Sequence, residues 1–102
     1  MTERQVIVTE RVRQDIELIV DVIMQVTSAN FAEQYGRRLE SEIATLSYMA
    51  EVLPPSRMLI PKRYHKDAKT MSIGKRKLTA IFHIENEYIV VDKIIPTTLL
   101  TY

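Results

Sequence analysis

Cysteine is absent from this 102-residue chain, which excludes disulfides and thiolate metal sites. The two histidines, His65 and His83, are isolated in sequence and too few to suggest a structural zinc site. No motif implies a cofactor. No run of about 18 apolar residues occurs, so no membrane span is expected. The charged start MTERQ leads into no apolar segment of the signal-peptide kind, which makes the cytoplasm the expected location. A chain of this length makes one domain with one modest core, so residues 1–102 are read as a single unit held by packing alone.

The net charge of +1 conceals an asymmetry. Residues 1–55 carry five Lys/Arg against nine Asp/Glu, a balance of −4, whereas residues 56–102 carry nine against four, a balance of +5. The excess is densest over residues 57–77, where Arg57, Lys62, Arg63, Lys66, Lys69, Lys75, Arg76 and Lys77 face only Asp67. Such a segment suits an anionic partner, either nucleic acid or an acidic protein segment. A solvated loop and hairpin tip is the plain alternative.

Helical periodicity runs over residues 11–26, where Val12, Ile16, Ile19, Val20, Ile23 and Met24 recur at spacings of three and four. Leu18, Val22 and Val26 widen that stripe and predict contacts on two sides. Thr9 is the expected N-cap, with Glu10 in the first turn. A second helix is predicted over residues 31–50 with the stripe Phe31, Tyr35, Leu39, Ile43, Leu46 and Ala50. Asn30 and Glu33 would form its capping box, and Pro54 and Pro55 its stop. The short link makes the two helices an antiparallel hairpin.

Residues 55–68 read as a basic loop with at most an edge strand at 58–60. Strands are predicted over 69–73, 78–85 and 88–95, with turns at 74–77 and at Asn86–Glu87, and residues 6–8 can add another. A two-residue loop at Asn86 and Glu87 pairs Ile84 with Ile89, Phe82 with Val91, Ala80 with Lys93 and Leu78 with Ile95, the face toward the helices. Thr79, Ile81, His83, Val90, Asp92 and Ile94 then line the outer face. Lys93 is the misfit of this register. The class is α+β, a helical hairpin packed on a small antiparallel sheet.

The segments VTERVRQDIELIVDVI, FAEQYGRRLESEIATL with AEVLPPSR, and LTAIFHIENEYIVVDKIIP together resemble the RelE/ParE superfamily of toxins from bacterial type II toxin–antitoxin systems, often described as plasmid stabilisation proteins. The resemblance covers most of the chain. It implies a cognate antitoxin that wraps the toxin, with growth inhibition either by ribosome-dependent messenger RNA cleavage or by binding DNA gyrase. The RNA-cleaving members place arginines on the outer sheet face, because cleavage by a 2′-hydroxyl needs a neutralised phosphate and proton transfer at two oxygens. Here Thr79 stands in the strand before the last turn, and Thr97, Thr98 and Leu99 follow the last strand.

Three readings follow. A toxin that binds a macromolecular target accommodates the missing arginines. An endoribonuclease with displaced groups would draw on His65, His83 and Tyr102 for proton transfer. A degenerate member would keep partner binding without toxicity. Lys62, Arg63, Lys66, Lys69, Lys75, Arg76 and Lys77 are the candidates for contact with a target or nucleic acid, and Ile81, Val90, Asp92 and Ile94 for contact with an antitoxin.

Overall fold

A computed structural model describes residues 3–100, which run β1 (Gln5–Val8), α1 (Glu10–Val26), α2 (Ala29–Ala44), α3 (Leu46–Met49), a 3-10 turn (Ala50–Val52), α4 (Leu59–Lys62), β2 (Lys69–Ile73), β3 (Leu78–Glu85), β4 (Tyr88–Pro96) and a closing 3-10 turn (Thr97–Leu100). The strands lie in the order β1-β4-β3-β2. The α+β class and the helical hairpin on a sheet are as the periodicities predict. Only β1 departs from an antiparallel sheet: it runs parallel to β4, reached after the whole intervening chain, so the sheet is mixed.

Both helix starts use different chemistry from that expected. Thr9 occupies the N-cap of α1 in an extended conformation, but its side chain makes no capping bond. Its hydroxyl donates instead to the Val91 carbonyl at 2.8 Å, prolonging the β1–β4 pairing beyond Val8. For α2 the cap is Ser28, whose hydroxyl accepts from the Phe31 amide at 3.1 Å, so Asn30 lies inside the helix. Glu33, freed from a capping box, pairs with Arg37 one turn on at 2.5 Å.

The long second helix is broken at Thr45. Its hydroxyl donates to the Glu42 carbonyl at 2.6 Å, the local competition by which a threonine interrupts helical bonding. Leu46 and Ala50 nevertheless stay on the buried side with Leu39 and Ile43. The edge strand expected at 58–60 is replaced by α4, which tolerates Pro61 because a first helical turn has no amide bond to lose.

Val12, Ile16, Leu39, Ile43 and Leu46 pack on Leu78, Ala80, Phe82, Ile89, Val91 and Ile94 to form the main core. Helices α1 and α2 approach closely at Gly36, where an added Cβ would lie 2.9 Å from a methyl of Val20. Leu18, Val22 and Val26, expected to be covered, are 65%, 54% and 77% exposed.

The β3–β4 hairpin holds the principal correction. Ile84–Ile89 and Phe82–Val91 pair as expected, but the register then shifts: Ile81 faces Lys93, Ala80 faces Ile94, and Leu78 faces Pro96. Asp92 is the extra residue of a β-bulge. The bulge resolves the Lys93 misfit. It lets Val91 and Ile94 both reach the core, which strict alternation forbids, and turns Lys93 toward Asp15 at 2.5 Å. The other oxygen of Asp15 accepts the Ile94 amide at 3.1 Å. The carboxylate thus serves the part of β4 that β1 is too short to pair.

Candidate functional site

The outer sheet face is covered rather than open. Ile81 and Ile95 pack with Ala68 and Leu100, with Ile60 and Tyr64 against them, so residues 54–68 and the closing 3-10 turn form a thin outer layer. Two of the residues expected to be exposed there are not. Ile81 is fully buried beneath that layer, and Ile94 is buried on the opposite, helix-facing side. Val90 is half-buried opposite His83.

Next to this cluster the chain brings its two histidines together. The rings of His65 and His83 stack with centroids 4.0 Å apart and planes 3° from parallel. His83 comes from β3 and is 6% exposed. The bulge places Asp92 on the same side, with its Oδ2 2.7 Å from His83 Nδ1. Glu85 Oε2 lies 3.3 Å from the other ring nitrogen, on a largely exposed side chain. Carboxylates accept only, so His83 donates its Nδ1–H to Asp92, and engages both carboxylates at once only when doubly protonated.

His65 is held differently. Its Nδ1 accepts the Asp67 amide at 3.0 Å, so the neutral ring carries its proton on Nε2. Half-buried His65 is the member of the pair that meets solvent, while His83 is the platform beneath it. Parallel rings cannot both aim an in-plane lone pair at one ion, and no cluster of potential metal ligands occurs among the described residues. The chemistry open to the pair is proton exchange at His65, with Lys62, Arg63 and Lys66 exposed on the same segment. Arg11 of α1 reaches this layer too, 5.6 Å from the Tyr64 ring centre. Tyr102 lies outside the described residues.

The threonines standing where arginines are expected are bonded to each other. The Thr79 and Thr97 hydroxyls are 2.9 Å apart, and Thr79 is buried. The contact between these two side chains is therefore uncharged. Lys69 also differs from its basic neighbours: its ammonium donates to the Ala50 carbonyl at 2.9 Å. Lys75, Arg76 and Lys77 are exposed at the opposite end of β2, on the β2–β3 turn. The basic segment is thus two separate surfaces.

Sequence reasoning missed Asp15, the Asp92 bulge and the contact of His65 with His83. The run VVDKII carried a signal for the bulge, since no strict alternation buries its apolar residues without also burying a charge. An open apolar groove of about 460 Å³ was also missed in position; Leu18, Val22, Ile94, Pro96 and Leu99 are among its lining residues.

No family model matches the chain. No curated protein matches it either. A solved structure of the chromosomal ParDE toxin–antitoxin system from P. aeruginosa shares the fold, with a TM-score of 0.77 at 14% identity over 92% of this chain and 96% of that one. The resemblance to RelE/ParE toxins is borne out at the level of the fold. No helix among the described residues is long and apolar enough to cross a membrane.

Proposed function

We propose that the chain is the toxin component of a type II toxin–antitoxin module, inhibiting growth by binding a macromolecular target and neutralised by a cognate antitoxin. The toxin–antitoxin part of this reading is supported by the fold it has in common with the ParDE structure over nearly all of both chains. The observation that favours binding over catalysis is the Thr79–Thr97 hydroxyl pair, part-buried with Thr79 itself buried, an uncharged contact where a phosphate-cleaving site needs cations. Ile60, Tyr64 and Leu100 further cover the face on which such a site would open.

The surface that suits an antitoxin is the groove along α1 rather than the outer face. Its apolar lining and the exposed Leu18 and Val22 fit the apolar side of an amphipathic segment. Val22→Asp should weaken antitoxin binding at least tenfold without unfolding the chain, because Val22 is exposed.

Expression in a bacterial host without antitoxin tests the toxin reading. Growth arrest without new messenger 5′ ends by primer extension supports target binding. The His65–His83–Asp92 arrangement favours one second reading, an endoribonuclease with a rearranged site. Codon-phased cuts that vanish in His65→Ala would establish that reading instead. Absence of arrest would reject both and leave a partner-binding member without toxicity.

A further inference from the structure

The β2–β3 turn has a backbone that its sequence does not favour. Gly74, Lys75 and Arg76 have φ of 58°, 56° and 70°, three consecutive left-handed residues. The Lys77 amide donates to the Gly74 carbonyl at 3.2 Å, and positive φ at both central residues is the type I′ pattern, for which Asn-Gly is the low-strain choice. Lys and Arg carry a Cβ that this region disfavours.

The turn is also held at both ends. The Gly74 amide donates to Glu42 Oε2 at 2.9 Å, and the Thr97 amide donates to the Lys77 carbonyl at 3.0 Å. A Cβ at Gly74 would lie 2.9 Å from the Tyr35 hydroxyl, so the turn is seated against α2. From this base Lys75, Arg76 and Lys77 project exposed, and among the described residues none of the three pairs with a carboxylate. A strained, anchored turn that presents three unpaired cations is a preorganised contact for negative charge.

Two anionic surfaces fit in principle, an acidic protein and a phosphodiester backbone. Protein interfaces draw most of their affinity from buried aromatic and apolar anchors. The turn itself carries none: Ser72, Lys75, Arg76 and Lys77 are its exposed side chains, Ile73 and Leu78 face inward, and the apolar groove that Leu78, Pro96 and Leu99 help line lies at its base, toward α1. Binding through charge alone is how proteins hold nucleic-acid backbones. We infer that the turn formed by Lys75, Arg76 and Lys77 binds the phosphodiester backbone of a nucleic acid. This inference goes beyond the toxin reading and does not require the chain to arrest growth.

The test is fluorescence anisotropy of the full chain with a short labelled DNA duplex and a labelled single-stranded RNA, from about 50 to 200 mM KCl. Affinity for either should fall linearly with salt on logarithmic axes, and the tighter of the two identifies the natural class. K75A/R76A/K77A should make the slope shallower by about 2–3, as expected for the loss of three phosphate contacts. K75N/R76G supplies a folded control, since it should melt about 5 °C higher while losing most of the binding. Four results would overturn the inference: no binding by the native chain, unchanged slopes in the variants, binding lost only in K62A/R63A/K66A, or turn-dependent binding to polyglutamate but not to nucleic acid.

Discussion

The two faces of the one sheet are covered by different means. On the inner face α1 and α2 bury a continuous set of large aliphatic residues against Phe82, Ile89 and Val91. On the outer face a loop, the single turn of α4 and the closing 3-10 turn set Ala68, Leu100, Ile60 and Tyr64 against just Ile81 and Ile95, and the remaining contacts are polar or aromatic pairs. The inner layer is bound by area, which is non-directional and tolerant. The outer layer depends on a few directional contacts that can be lost one at a time. The face expected to open first is therefore the one that carries the histidines.

Phe82→Ala should cost most, about 3–5 kcal/mol in urea denaturation, because it empties the centre of the inner core. Asp15→Ala comes next at about 2–3 kcal/mol, since it leaves Lys93 unpaired and the Ile94 amide without an acceptor. Asp15→Asn keeps an acceptor and should recover part of that loss. Removing the end of the outer layer with Leu100→Ala should cost about 2 kcal/mol, and amide exchange should accelerate over residues 60–68 while β3 and β4 stay protected. His65→Ala is the mildest, at about 0.5–1.5 kcal/mol for the lost ring stack, again read as local exchange. Should Leu100→Ala or His65→Ala instead loosen the helices and the sheet together, the two faces would form one cooperative unit and the contrast would collapse.

Much of the scaffold was legible because it rests on local periodicity. The strands over 69–73 and 78–85 coincide with β2 and β3, and the Asn86–Glu87 turn holds Asn86 at φ 56° as a two-residue hairpin loop requires. The helix starts were less legible, because Ser28 and Asn30 are both competent caps and only the packing of the following residues separates them. That His83 and Asp92 share the outer face was legible from the alternation along the hairpin. The 4.0 Å stack with His65 was not, since nothing local dictates where the loop over 54–68 lies.

The order of spacings along the chain determined two helices and a hairpin-rich sheet, and the placement of charge determined a basic second half. Those properties depend on neighbours a few residues apart. The tertiary structure fixed the bulge at Asp92, for which the run VVDKII carried only a signal, and alone decided the use of Asp15 at the uncovered edge of β4 and the meeting of the two histidines. Each answers a demand that exists only after assembly: apolar side chains that must reach one core, a backbone amide left without a strand beside it, and a sheet face still open to water.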